Sequence, residues 1–179
     1  MFCYQCEETA RGTGCDRSGV CGKKAPTSDL QDVLLHQLKV ISWYGDKAGE
    51  LGIETAELDE FVMENLFVTI TNANFDDKAL SNKIIASYGI RDRIRAGFHA
   101  AYYDKNDKEY DGPLPPHADI STEDPSEMTA LAEKVGILSA ENEDIRSLRS
   151  IILYGLKGWQ PMRTMPSFSV RKTRRYFLS

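Results

Sequence analysis

Pro26-Thr27-Ser28-Asp29-Leu30-Gln31-Asp32-Val33-Leu34-Leu35-His36-Gln37-Leu38-Lys39-Val40-Ile41 reads as the opening of an amphipathic helix. Its apolar residues Leu30, Val33, Leu34, Leu38 and Ile41 recur every three or four positions, and Tyr44 continues the stripe. Pro26-Thr27-Ser28 is a helix start, with Thr27 or Ser28 expected as N-cap and Asp29 in the first turn. The helix is expected to end near Gly49 or Gly52.

The same period recurs downstream. A second helix is expected after Thr55, carrying Leu58, Phe61, Val62, Leu66 and Ile70. Its β-branched end, Phe67 to Thr71, has the composition of a strand, but no alternating partner strand accompanies it, so helix is favoured. Asp76-Asp77 opens a third helix with Leu80, Ile84, Ile85 and Tyr88, continuing past an expected kink at Gly89 through Ile94, Phe98 and Tyr102. The polar, Pro-rich stretch Asp104 to Asp124 reads as a long loop or boundary. A short helix is expected from Asp124 as N-cap, with Pro125 at its first position, to Gly136. Another follows Ser139 as N-cap, with acids Glu141, Glu143 and Asp144 near its positive end and Ile145, Leu148, Ile151, Ile152 and Leu156 along it, to about Gly158. The fold class is therefore all-α. The expected organisation is a Cys-rich loop (1–26), a first helical bundle (27–104), a Pro-rich connector (105–124), an incomplete second helical unit (125–158) and a basic tail (159–179).

With 179 residues, 41 % hydrophobic and 27 % charged, the chain can bury a core, and wholesale disorder is excluded. The net charge of −5 gives no global basic footprint for nucleic acid. No apolar run approaches the roughly 20 residues a membrane helix needs, and the N-terminus has neither the basic region nor the apolar stretch of a secretory signal. A soluble, cytoplasmic protein is expected. The charge is uneven: the last 21 residues hold Arg163, Arg171, Lys172, Arg174 and Arg175 and no acid, so residues 1–158 carry −10.

All four cysteines lie in the first 21 residues, spaced Cys3-x2-Cys6-x8-Cys15-x5-Cys21 among Gly12, Gly14, Gly19 and Gly22. A disulfide framework does not suit a cytosolic chain of this size. Four unrelated buried thiols do not suit a Gly-rich loop with few apolar neighbours. Structural zinc and an iron–sulfur cluster both remain. Four-cysteine zinc sites usually pair two short C-x2-4-C hairpins, which the x5 spacing fits poorly. A cubane is a larger body. Irregular spacing and glycines such as Gly14, Gly19 and Gly22 let the backbone wrap it and donate to its sulfides. Spacing alone favours iron–sulfur over zinc.

Met1-Phe2-Cys3-Tyr4-Gln5-Cys6-Glu7-Glu8-Thr9-Ala10, Thr13-Gly14-Cys15 and Gly19-Val20-Cys21-Gly22-Lys23 resemble the N-terminus of the hybrid cluster proteins, also called prismane proteins or hydroxylamine reductases. The resemblance continues through Leu30-Gln31-Asp32, Asn72-Ala73-Asn74-Phe75 and Tyr154-Gly155-Leu156-Lys157-Gly158, and covers residues 1–158. It implies a pair of three-helix bundles with a cluster at their N-terminal edge. The tight spacing resembles the class that holds a [4Fe-4S] cubane, with Cys3, Cys6, Cys15 and Cys21 as its ligands; a second class has wider spacing and a smaller cluster. The resemblance also implies that catalysis belongs to a separate hybrid iron–sulfur–oxygen cluster, held by one His, two Glu and four Cys further along complete chains. After Cys21 this sequence has no cysteine, so none of those ligands carries over and no catalytic residue is assigned. His36, His99 and His117 show no ligand spacing, and Trp43, Tyr44, Tyr102 and Tyr103 read as core or interface aromatics.

Trp159-Gln160-Pro161-Met162-Arg163-Thr164-Met165-Pro166 is expected to break the preceding helix. If Gly158 is encoded GGA, one codon choice for residues 159–177, read one base earlier, gives Met-Ala-Ala-Tyr-Ala-Asp-His-Ala-Phe-Val-Leu-Gly-Lys-Glu-Asp-Glu-Glu-Ile-Phe. That text is helix-favouring and resembles what the family has there. The tail therefore reads as frameshifted, and the chain as the truncated N-terminal, electron-relaying domain of a hydroxylamine reductase, inactive alone. Its expected partners are a redox electron donor and, through exposed helical faces such as Ile151, Ile152, Leu153 and Leu156, other copies of itself; a nucleic-acid partner is not expected. The alternative is a non-catalytic helical module with a structural four-cysteine zinc site and a polyanion-binding tail.

Overall fold

The computed structural model describes residues 1–70 and 74–164, and side chains through residue 158 outside the gap. Asn72, Ala73 and the basic residues of the tail thus lie outside the described side chains. Five helices carry the chain: α1 (Ala25–Glu50), α2 (Ala56–Val68), α3 (Asp77–Asn106), α4 (Pro125–Val135) and α5 (Glu143–Thr164), with 3-10 turns at Ala10–Gly12 and Ile137–Ser139. Among the described residues there is no strand, and the molecule is all-α as its periodicity predicts.

α1 is the central element. Its first half places Leu30, Val33, Leu34 and Leu38 against Leu80, Ile84 and Tyr88 of α3 and Met128 and Ala132 of α4. Its second half packs Val40, Tyr44 and Ala48 against Ile94 and Phe98 of α3 and Ala118 of the connector. Residue numbers rise together along α1 and α3, so these helices run parallel. Phe61, Val62 and Leu66 of α2 border the first cluster and Leu58 the second, so α2 runs antiparallel to both. Leu30, Leu34, Leu38, Ile41, Leu80 and Ile84 are buried almost completely. Each such side chain contributes about 1.5–3 kcal/mol of apolar burial.

Several helix boundaries differ from those the sequence suggests. α1 starts at Ala25 with Lys24 as N-cap. Pro26 is preset for a first helical turn, so the helix begins before Thr27 and Ser28, and both are buried inside it. Thr27 donates instead to Asp77 Oδ1 at 2.5 Å, tying the starts of α1 and α3. α2 ends at Val68, leaving Ile70 beyond its C-cap Thr69. α3 runs through Gly89 as one 30-residue helix, opened by Asp76, whose side chain accepts from Ala79 N–H at 3.0 Å. The cap of α5 is Asn142 rather than Ser139: Asn142 Oδ1 accepts from Ile145 N–H at 3.0 Å, whereas Ser139 Oγ donates to Gly136 O. α5 also continues through Pro161 to Thr164. A proline removes one rung of the ladder and presses on the carbonyl four residues back, but its own φ is helical, so the helix persists on both sides.

The connector is held by buried polar groups. Arg91, 2 % exposed, donates to Ile120 O at 2.7 Å, Ser121 Oγ at 2.7 Å and Gln37 Oε1 at 3.4 Å. His36 Nε2–H donates to His117 O at 3.2 Å, and burial holds the His36 imidazole below its ordinary pKa. His99, Trp43, Tyr44 and Tyr102 belong to an aromatic cluster with Phe98 and Tyr110. Tyr103 is exposed.

Candidate metal centre

The first 24 residues form a loop folded back on itself and docked on α1 and α5. The terminal ammonium of Met1 pairs with Asp29 at 3.1 Å. Cys3 and Cys15 then exchange both backbone hydrogen bonds, Cys3 N–H to Cys15 O at 3.0 Å and Cys15 N–H to Cys3 O at 2.7 Å. This antiparallel pairing brings two of the four cysteines side by side. It needs Gly14, whose φ is +149° and whose missing Cβ would lie 2.6 Å from the Phe2 ring. Between them the chain reverses through the turn Ala10–Gly12, with Arg11 at φ 58°. The Ala10 N–H donates to Cys15 Sγ at 3.4 Å.

The second half of the loop is a separate turn. Gly19 N–H donates to Lys23 O at 2.8 Å and Gly22 N–H to Gly19 O at 2.9 Å, with Cys21 between them. A Cβ on Gly19 would stand 3.0 Å from Cys21 Sγ, so the sulfur lies directly on the backbone. Cys15 is buried, Cys3, Cys6 and Cys21 are half-buried, and all four thiols are free. Among the described residues no three Cys, His, Asp or Glu side chains converge on one ion position.

Donors face the thiols from outside the cysteine motif. Lys23 Nζ lies 4.0 Å from Cys3 Sγ and donates to Gln31 Oε1 at 2.7 Å. Gln31 is pinned in turn by its Nε2 donating to Asn74 O at 3.2 Å. Across the loop, Lys157 Nζ of α5 donates to Gln5 Oε1 at 2.6 Å and Thr69 O at 3.1 Å. The Tyr4 ring meets Tyr154 edge-on at 6.0 Å, and its hydroxyl donates to Ser150. Beside the loop, a cavity of about 520 Å³ is walled by Cys3, Lys23, Asp32, Lys39, Arg149 and Lys157 among others. Burial pushes the Asp32 carboxyl up to about 7, and the nearby Asp29 adds to the effect. Burial, then Lys23, pulls the Lys157 ammonium down to about 7. Burial and the Tyr4 phenol raise the Tyr154 pKa.

This donor set fits an iron–sulfur group. Four free thiols share one loop, and a backbone N–H and an ammonium already point at two of the sulfurs. The cysteines are legible in the sequence; Gln5, Lys23 and Lys157 are legible only as parts of the quoted motifs, with no role attached. Lys157 sits on α5 opposite the Ile/Leu stripe and is 4 % exposed. The signal available was the pairing of this lysine with Tyr154, Ser150 and Arg146 at helical spacing, all on one side of α5.

Comparison with known proteins bears on what this loop is for. The chain is 47 % identical over 158 residues to hydroxylamine reductases of Halothermothrix orenii and Nitratidesulfovibrio vulgaris, and 42 % identical to that of Natranaerobius thermophilus. These alignments take in 88 % of the chain but only 28 % of each relative, so the chain spans little more than a quarter of their length. The family match runs over residues 1–176, past Gly158, where the sequence reading ends the resemblance. With the thiol loop, the helical architecture and this match together, the chain belongs to the Prismane/CO dehydrogenase family.

Proposed function

We propose that this chain is the N-terminal, electron-relaying part of a cytoplasmic hydroxylamine reductase, binding one [4Fe-4S] cluster through Cys3, Cys6, Cys15 and Cys21. The observation that carries the reading is the loop itself: four free thiols within 19 residues, two of them held side by side by paired backbone hydrogen bonds. Proteins of the family are iron–sulfur proteins, and the similar relatives are hydroxylamine reductases. When bound, the cluster supplies one-electron transfer. The protein's own residues do the rest: Gly14 and Gly22 turn the backbone around the site, Ala10 N–H and Lys23 donate toward its sulfurs, and Tyr4 and Gln5 fasten the loop to α5. Among the described residues no helix is long and apolar enough to cross a membrane.

Hydroxylamine reduction needs a metal position open to substrate. A cluster held by Cys3, Cys6, Cys15 and Cys21 together would use all four thiols as ligands and supply electron transfer only, and residues 22–179 contain no cysteine for a second cluster. The chain alone is therefore expected to relay electrons without turning over hydroxylamine. Anaerobic expression with iron should give a brown protein with iron and acid-labile sulfide, lost in Cys15→Ser. Colourless protein with one zinc per chain would replace this reading with the structural zinc module. Hydroxylamine-dependent oxidation of reduced viologen should stay at background; turnover at the level of a complete reductase, lost in Cys15→Ser, would overturn the claim of inactivity. The nucleotide sequence around codon 158 tests the frameshift: an alternate frame without helix-favouring text rejects it.

A further inference from the structure

Two lysines are buried beside the thiol loop without an acidic partner. Lys23 is 3 % exposed and Lys157 4 %. The oxygens to which they donate are neutral: Gln31 Oε1 for Lys23, Gln5 Oε1 and Thr69 O for Lys157. Neither enters an ion pair among the described residues. The carboxyl that acts on both is Asp32 in the cavity wall, one acid among several cations, and burial pushes its pKa up. The other charged side chains around this cavity add to the excess, since Lys39, Lys134, Arg146 and Arg149 also line it. A buried cation with only amide oxygens around it is poorly compensated for the water it has lost. Burial, then Lys23, pulls the Lys157 ammonium down to about 7, so an anion beside it is what would keep it charged at neutral pH.

An anion that compensated these lysines would lie beside the thiols. Lys23 Nζ stands 4.0 Å from Cys3 Sγ, and Lys157 is tied to Gln5, between Cys3 and Cys6. Both ammonium groups are held from the side by amide arms, and Gln31 is itself fixed to Asn74 O. The positive charge is thus built into the walls of the loop.

Resting on the cluster reading above, we propose that Lys23 and Lys157 are the fixed countercharge of the metal centre, offsetting the negative charge of a four-thiolate iron–sulfur group and holding its reduction potential up. Such a group is an anion and becomes more negative when it accepts an electron. A cation held nearby, in a region that water does not screen, therefore stabilises the reduced state more than the oxidised one. Lys157 is the cleaner probe, because Lys23 adjoins the cysteine turn.

The test uses the full 179-residue chain reconstituted anaerobically with iron and sulfide, and the variants Lys157→Met, Lys157→Gln, Lys157→Arg and Lys23→Gln. Iron and sulfide per chain report assembly, and a redox titration followed by electron paramagnetic resonance reports the midpoint. Lys157→Met and Lys157→Gln should lower the midpoint by at least a tenfold change in the oxidised-to-reduced ratio, about 59 mV for one electron. Lys157→Arg should stay near wild type, and Lys23→Gln should shift in the same direction as Lys157→Met. Loaded Lys157→Met and Lys157→Gln with the wild-type midpoint would overturn the proposal. If the neutral variants fail to assemble while Lys157→Arg assembles, the charge requirement is upheld at the level of loading. If Lys157→Arg fails with them, shape rather than charge matters and the proposal falls. A wild-type chain that takes up no iron and sulfide refutes the cluster reading itself, a result distinct from any shift in potential.

Discussion

Asp32 is a half-buried acid in the wall of the cavity beside the loop. Its carboxyl has an ordinary pKa of 3.8, and burial, with Asp29 adding to it, pushes this up to about 7 in the folded chain. Between those values the folded state holds a proton that the unfolded state has released. The contribution of this group to stability is therefore fully present below about pH 4, falls between pH 4 and 7 and is lost above 7. Asp32→Asn removes the titration while keeping the shape of the side chain. At pH 8 the variant should be more stable than wild type by on the order of 3 kcal/mol, with the difference vanishing near pH 4. Thermal unfolding at the two pH values measures it. A difference that stays constant between pH 4 and pH 8 would show that the carboxyl is not desolvated.

At the scale of elements, the connector and α5 show how polar groups position apolar helices. The connector has no helix between Asp107 and Asp124, yet it closes the second core cluster with Ala118. Arg91 holds it there from α3. Arg91→Met takes its donor from Gln37 Oε1 and Ser121 Oγ and leaves the Ile120 carbonyl only the longer bond from Gln37 Nε2 at 3.4 Å, and should cost about 2–4 kcal/mol in urea unfolding at unchanged slope. Arg91→Lys should recover only part of this, because one ammonium does not reproduce the planar fork that reaches Ile120 and Ser121 together. Full recovery by lysine would mean that charge alone holds the connector. α5 is turned the opposite way from an ordinary surface helix. Ser150 and Lys157 are buried toward the loop, while Leu148, Ile151 and Ile152 are each more than 60 % exposed. The loop needs polar partners more than α5 needs its isoleucines covered: Tyr4 and Gln5 find theirs on Ser150 and Lys157.

The whole molecule consequently carries an apolar stripe on its outside, formed by Ile145, Leu148, Ile151, Ile152 and Leu156. Leu153, which the sequence places with them, instead lines the cavity. A contiguous stripe of this kind promotes association. Light scattering of the full chain should show oligomers that grow with concentration, and Leu148→Glu with Ile152→Glu should return it to monomer. A monodisperse wild-type monomer at high concentration would contradict this. The parts legible in the sequence are those fixed by neighbours in the chain. Leu30, Leu34 and Leu38 declare a helix because their spacing is the helical period, and Cys3, Cys6, Cys15 and Cys21 declare a thiol-rich turning loop because cysteine and glycine are local properties. The start of α1 was missed because Pro26 sets the first turn on its own, ahead of the Thr27 and Ser28 hydroxyls. The sequence alone thus determined the helical class, the position of the thiols and the amphipathic period of each helix. Only the tertiary structure decided which face of α5 turns inward, that His36 meets His117, and that Lys157 reaches Gln5 across 152 positions. The physical reason is that a period states where the two faces of a helix are, whereas what each face is worth depends on the partners brought to it from elsewhere in the chain.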